Sequence, residues 1–311
     1  MEIEVFGMLP LDYYIEHPRV LLESLLKKFG GWIPDKQYLQ MQYYLKMGKR
    51  LNLNHPQTFS EKIQWLKLYN RRPEYTMMVD KFVVKAYVAD IIGSEYVIPT
   101  IGVWNRPEDI DFKSLPEQFV LKTTHGGGSG GVLICTDKSK LDAGLVVKKM
   151  KKAMKGNIYK GYREWPYKDV KRRIIAEMYI GNQNEDLKDY KFFCFNGEPK
   201  YCQVIGERRT RESIDFFDMG WKHQPFCGLC PADSPLMFET AKITPLKPLH
   251  YEKMQELARK LSCGTPFCRI DLYDTPKQVY FGEITFFPAS GLGIFTPDEF
   301  NGRLGEMIIL L

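Results

Sequence analysis

The segment Lys122-Thr-Thr-His125-Gly126-Gly127-Gly128-Ser129-Gly130-Gly131 restricts the possible folds of this chain more than any other. Five of its last six residues are glycine, so the backbone can turn where side chains would forbid it and can aim several N–H groups at anionic oxygens. Strand-like apolar runs frame it at 119–122 and 131–135. Strand, glycine tip and returning strand make a hairpin loop suited to covering phosphates. Lys122 ends the first strand, where its ammonium can meet the same oxygens. No Gly-Lys-Ser/Thr follows, which argues against a Walker loop. A strand rather than a helix follows, which argues against a Rossmann turn. A loop that was merely flexible would not require the lysine.

A second constellation lies near the C-terminus: Arg269-Ile-Asp271, then Gly282-Glu283-Ile-Thr285. In a hairpin turning at Thr275-Pro276-Lys277, Asp271 and Glu283 come opposite or nearly opposite each other, and strand alternation points both carboxylates to one face. Two like charges so placed repel unless a cation lies between them. Mg²⁺ suits the position, because it takes one or two carboxylates together with substrate phosphates. Arg269 shares the face and can neutralise charge on a transferring phosphoryl group. The competing reading is a surface ladder of Arg269 with Glu283.

The remaining chain supplies an α+β frame for these two motifs. Residues 1–50 carry helical patterning, with a break at Gly30-Gly31-Trp32-Ile33-Pro34 that separates two helices. These helices pack against the main body or lie on a membrane surface as amphipathic helices. Thr58 and Glu61 spell a capping box ahead of a further helix, and another is expected over 75–92, carrying Asp80 and Lys81. From Val97 short strands prevail. A helix at about 139–155 and an aromatic, basic loop at 157–169 precede a buried strand at 174–179. Asn196-Gly197 marks a hairpin between 189–195 and 200–205. A helix at 251–262 then leads into the Asp271/Glu283 hairpin. The expected organisation is a helical extension over 1–70, a small subdomain over 71–180 with the glycine loop, and a metal-binding subdomain over 181–311.

Composition narrows the partners. With 311 residues and 44% hydrophobic content the chain can bury a substantial core. No run approaches the roughly 18 to 20 apolar residues that spanning a bilayer needs. Met1-Glu2-Ile3-Glu4-Val5 is not a basic leader followed by an apolar stretch. A cytoplasmic protein is therefore expected, and an odd count of 7 cysteines fits that compartment. Cys194, Cys202 and Cys268 lie in strand-like runs and read as buried hydrophobes, while Cys227 and Cys230 have zinc or redox spacing but no second pair with zinc-site spacing follows. The net charge is +6, with lysine and arginine dense over 148–173. No nucleic-acid-binding motif accompanies them, so the expected partner is an anionic small molecule or glycan.

Together the two constellations resemble the ATP-grasp superfamily. More narrowly, Thr58-Phe-Ser-Glu-Lys-Ile-Gln-Trp65, Glu164-Trp-Pro-Tyr-Lys168, Asp189-Tyr-Lys-Phe-Phe-Cys-Phe-Asn-Gly197 and Phe281-Gly-Glu-Ile-Thr-Phe-Phe-Pro288 look like its teichuronopeptide-synthesis (TupA-like) branch. The resemblance covers roughly 45–310 and implies an ATP-grasp fold of two α+β subdomains clasping a nucleotide cleft, with ATP and Mg²⁺ as cofactors. It implies nucleotide contacts from Lys81, Lys122, Gly126, Gly127, Gly128, Ser129 and Gly130, and a hinge at Glu177, Met178, Tyr179 and Ile180. Asp271 and Glu283 become metal ligands, with Thr285 where the superfamily usually has asparagine. Arg269, Lys191 and His125 become catalytic candidates. Arg163, Trp165, Lys168, Arg173 and Ser290 become substrate contacts, the aromatic groups for sugar faces and the cations for a uronate. The implied activity joins an amine to an activated carboxylate in surface-polysaccharide synthesis, such as a capsule. The sequence leaves open phosphoryl transfer to a sugar hydroxyl, and also glycosyl transfer.

Overall fold

The computed structural model describes residues 16–181, 187–206, 213–231 and 239–310. The reading of Met1–Val5 lies outside them, as does the side chain of Ser129. The N-terminal pattern gives α1 (Pro18–Phe29), a tight turn at Gly30–Trp32 and α2 (Asp35–Met47). Packing of α1 is one-sided, unlike the full docking that its apolar residues suggest. Leu26 is buried, but Leu21, Leu22, Leu25 and Phe29 are exposed. Glu23 takes an inward position instead, where it pairs with Lys27 at 2.8 Å and Lys46 at 3.0 Å.

The capping box forms at the start of α3 (Phe59–Tyr69): Thr58 Oγ1 accepts the Glu61 N–H at 3.2 Å, and the Glu61 carboxylate accepts the Thr58 N–H at 3.1 Å. The helix expected over 75–92 is two helices, α4 (Glu74–Val79) and α5 (Val84–Ile92). The break has a local cause and a tertiary one. Asp80 Oδ1 accepts the N–H groups of Phe82 at 2.9 Å and Val83 at 3.2 Å, while the Lys81 N–H donates to the Thr124 carbonyl at 3.1 Å. That turn delivers the Lys81 side chain to the glycine loop.

Four strands, β1 (Thr100–Trp104), β2 (Phe119–Thr123), β3 (Val132–Cys135) and β4 (Ile174–Met178), form an antiparallel sheet in the order β1-β4-β2-β3. Helix α6 (Ala143–Met154) buries Val146 and Met150 against its core. A short helix, α7 (Ile158–Tyr162), leads into the 157–169 segment.

The larger sheet has the order β10-β9-β5-β6-β7, built from β5 (Asp189–Phe195), β6 (Glu198–Gly206), β7 (Ser213–Asp218), β9 (Phe267–Asp274) and β10 (Val279–Thr285). Asn196 at φ +52° and Gly197 at φ +84° make the tight turn between β5 and β6 that their pairing in sequence signals. Helix α8 (Tyr251–Ser262) buries Met254, Leu257 and Leu261 on this sheet. Full burial of such a side chain contributes about 1.5–3 kcal/mol. A ribbon of β8 (Cys227–Pro231) with β11 (Gly293–Thr296), followed by α9 (Glu299–Glu306), completes the described chain.

The buried residues group differently from the sequence boundaries at 70 and 180. Phe59 and Ile63 of α3, Tyr75 and Met78 of α4, and Val84 and Val88 of α5 share one core with the larger sheet. The small sheet keeps its own core of Phe119, Leu121, Val146, Met150, Ile174 and Ala176. Cys227 and Cys230 are buried on β8 with their sulfurs 3.8 Å apart.

Candidate functional site

The glycine loop folds tightly over Thr123. A Cβ on Gly126 or Gly131 would fall 2.5 or 2.4 Å from Thr123 Oγ1, so a side chain at either position would force the buried Thr123 to shift. Gly128 has φ +68°, the left-handed region where glycine carries no steric cost. Lys81 Nζ donates to the Gly126 carbonyl at 2.5 Å and lies 3.4 Å from Glu283 Oε2. One ammonium thus links the loop of the small sheet to the hairpin of the large one. His125 is buried beneath the loop, and neither ring nitrogen finds a hydrogen bond of good geometry among the described residues. Its pKa is pushed down by burial first, then by the charges of Arg172 and Lys81.

Beside the loop, a narrow crevice is lined by Lys81, Lys85, Lys122, Glu177, Val97, Ile98, Phe281 and Gly282. Lys122 and Lys85 each reach Glu177 at 2.6 Å. Burial alone would raise the Glu177 carboxyl, but Lys122 and Lys85 outweigh it and hold it below its usual range. Counting Lys81, which lies beside Glu283, three ammonium groups meet two carboxylates around this crevice, an excess of positive charge that suits an anionic ligand. The segment expected to act as a hinge follows directly. The Met178 N–H is committed to the Pro99 carbonyl at 3.1 Å, and the chain leaves the sheet through Tyr179 and Ile180.

The C-terminal hairpin has the expected register, with Glu283 opposite Asp271. A bulge at Gly282 produces it, and a Cβ there would come 2.9 Å from the Asp271 carbonyl. Arg269 grips Asp271 through Nε at 2.7 Å and Nη2 at 2.8 Å, and the same Nη2 reaches Glu283 at 3.3 Å and Thr285 Oγ1 at 3.2 Å. Lys191, opposite Asp271 on β5, donates to Asp271 and to Asp189 Oδ2, the latter at 2.5 Å. Burial opposes ionisation of Glu283, yet Lys81, Arg269 and Lys191 hold its carboxyl down at about 2. Asp271, Glu283 and the Thr285 hydroxyl are hard oxygen donors, so the set fits Mg²⁺. No group of three His, Cys, Asp or Glu side chains poised for a metal occurs among the described residues. Phosphate oxygens would therefore complete the shell, as Mg²⁺ sites on nucleotides commonly have it.

The expected substrate contacts fare unevenly. Arg163 does not face the cleft. It is buried, donates to the carbonyls of Gly30 at 2.8 Å, Ile33 at 3.1 Å and Lys160 at 2.9 Å, and stacks 3.7 Å over the Tyr38 ring. Its φ of +56° ends α7 and turns the side chain inward, so it braces the loop against the N-terminal helices. Arg173 is paired with Asp80 at 2.7 Å and fixes the break between α4 and α5. Trp165 stacks near Tyr75, with centroids 6.0 Å apart. Lys168 remains exposed, 5.3 Å from the Tyr159 ring.

Ser290 is buried at the turn just after β10, where it and Ala289 take φ of +56° and +46°. Two consecutive non-glycine residues in that region mark a strained turn. Its hydroxyl donates to Glu164, and its carbonyl accepts from Lys67 Nζ at 2.8 Å. Lys67 also reaches the Tyr162 carbonyl at 3.0 Å and Gln64 Oε1 at 3.1 Å. Burial pulls its pKa down to about 8, against the opposing charge of Glu164. Lys67, Gln64, Glu164 and Asp189 had no assigned role in the sequence reading. A signal existed for the first two: Ser60, Gln64 and Lys67 recur at helical spacing on the same face as Phe59 and Ile63, a polar stripe on a buried surface.

Comparison with known proteins places these motifs in a family. The family model described as "TupA-like ATPgrasp" matches residues 61–309. Among solved structures, the chain is similar to the D-alanine-D-alanine ligase of Helicobacter pylori at 14% identity and TM-score 0.41, covering 80% of this chain and 69% of that one. A RimK domain ATP-grasp protein from Sphaerobacter thermophilus gives 12% identity and TM-score 0.40, over 77% of this chain and 70% of that one. The ATP-grasp ligase PsnB, solved with its minimal precursor, Mg and ADP, gives 11% identity and TM-score 0.36, over 73% and 57%. No curated protein matches.

Proposed function

The chain belongs to the TupA-like ATP-grasp family, and from that premise we propose that it is a carboxylate–amine ligase acting on a uronic acid unit in surface-polysaccharide synthesis. When bound, Mg-ATP supplies the γ-phosphoryl group that converts the carboxylate to an acyl phosphate with release of ADP, and attack by the amine then gives the amide and inorganic phosphate. The chain's own residues have distinct parts in this reading. Lys81, Lys122 and the glycine-loop N–H groups hold the triphosphate, Asp271 and Glu283 hold the metal, and Arg269 neutralises charge as the phosphoryl group moves. The 157–169 segment, anchored by Arg163 to the N-terminal helices and by Glu164 to Ser290, walls the cleft so that water does not hydrolyse the acyl phosphate. Exposed Lys168 supplies a cation for the acidic sugar.

The observation that carries the reading is Lys81, which touches the glycine loop at Gly126 and lies 3.4 Å from the metal-ligand candidate Glu283. A phosphate-covering loop and a metal site that share one ammonium are arranged for a single Mg-triphosphate. The test is product stoichiometry. ADP and inorganic phosphate should appear in equal amounts only when a uronate and an amine are both present, and hydroxylamine should divert the intermediate to a hydroxamate. A stable phosphorylated sugar with no amine requirement would overturn the ligase reading and leave the family assignment intact.

A further inference from the structure

The exposed face of α1 has no partner among the described residues, and its composition is specific. Leu21, Leu22, Leu25 and Phe29 recur at helical spacing and continue into Trp32 in the following turn, with exposures of 39%, 52%, 42%, 60% and 83%. In most surface helices such a stripe faces the core. Here the inward positions belong to Glu23 and Leu26, and the apolar stripe faces out. The charges beside it have one sign. Arg19 and Lys28 are exposed, while Glu23, the only acidic side chain of the helix, is buried in its pairs with Lys27 and Lys46. The exposed carboxylate of Glu16 lies ahead of the helix, outside the stripe.

From this face we infer that α1 docks the protein on an anionic membrane surface. Leucines and two aromatic rings on one face with flanking cations are what an interfacial helix presents: the apolar groups enter the headgroup–acyl boundary while arginine and lysine meet lipid phosphates. A helix of 12 residues is about 18 Å long, too short to cross a bilayer, so it lies in the surface plane. The charge argument favours a membrane over a second copy of the chain, because a twofold contact through this face would bring the exposed cations of one copy, Arg19 and Lys28, toward those of the other. The inference stands on α1 alone and is independent of the chemistry assigned to the cleft.

Vesicle sedimentation of the full chain tests it. Binding is expected to vesicles of phosphatidylcholine with phosphatidylglycerol, weak or absent binding to phosphatidylcholine alone, and a loss of affinity as salt rises. Leu22→Asp and Phe29→Asp should each weaken binding at least about tenfold while ATP turnover is unchanged. Tryptophan emission should shift to the blue on anionic vesicles, and Trp32→Phe should remove most of that shift. Equal binding to both vesicle types, no binding to either, or unchanged binding of Phe29→Asp would overturn the proposal. So would a solution dimer that Phe29→Asp splits into monomers, because a second copy would then cover the face.

Discussion

Glu283 shows how a single side chain is set by residues far apart in sequence. The hairpin turn was enough to bring it near Asp271, but the bulge at Gly282, which strand alternation does not announce, sets it directly opposite. Its electrostatic setting was not legible, because Lys81 and Lys191 reach it from other elements. Its folded pKa is depressed from 4.5 to about 2, so the stability it contributes is complete above pH 4.5 and disappears as pH falls through about 2. Chemical denaturation of the wild-type protein and Glu283→Gln should therefore show a stability gap at pH 6 that narrows steadily toward pH 2. A gap that stays constant over this range would mean that the three cations do not hold the carboxylate. Arg163 teaches the converse. Its place among aromatic residues suggested a sugar contact, but a left-handed backbone at the end of α7 directs it inward, and no local pattern announces that.

At the scale of elements, the strands around both motifs, the β5–β6 turn and the capping box of α3 follow from local chemistry and could be read directly. The break between α4 and α5 could not. The apolar periodicity continues across it, and the Lys81 N–H is captured by Thr124 only once the small sheet is in place. The buried face of α3 is the informative case. Gln64 and Lys67 of the polar stripe anchor the strained turn after β10, Lys67 also holds the end of α7 at Tyr162, and Ser60 bonds Asn301 of α9. Lys67→Met keeps the volume and the helix propensity but takes the Lys67 donor from the Tyr162 carbonyl and Gln64 Oε1, leaves the Ser290 carbonyl only its bond from Gln64, and removes the positive charge facing Glu164. A loss of about 3 kcal/mol in urea unfolding is expected, since buried groups left without partners cost about 1–3 kcal/mol each. A loss below about 1 kcal/mol would show that the stripe does not hold the turn.

Among the described residues the cores of the two sheets are joined through ion pairs at a cleft, with a smaller cluster of Leu39, Tyr43, Leu51, Leu53 and Leu292 beside them. Helices α3 to α5 belong to the core of the larger sheet, so α5 delivers Lys85 to Glu177 from outside the small sheet, and the α4–α5 turn delivers Asp80 to Arg173 and Lys81 to Gly126. The sequence indicated a cleft with a phosphate loop on one wall and a metal hairpin on the other, because both motifs are local. Which helices pack with which sheet is a matter of tertiary burial, and the boundaries read at 70 and 180 do not coincide with it. In the proposed reading this cleft holds Mg-ATP beside an acidic sugar, and the central claim is that a carboxylate oxygen attacks the γ-phosphorus. Isotope transfer measures that event directly. The protein is supplied with Mg-ATP, an amino-acid mixture and glucuronate carrying ¹⁸O in its carboxylate, and the released phosphate is weighed by mass spectrometry. Passage through an acyl phosphate places one ¹⁸O atom in each phosphate ion, because the amine displaces the oxygen that came from the carboxylate. Phosphate released without label alongside amide product, or label retained in full on a phosphorylated sugar, would contradict the account.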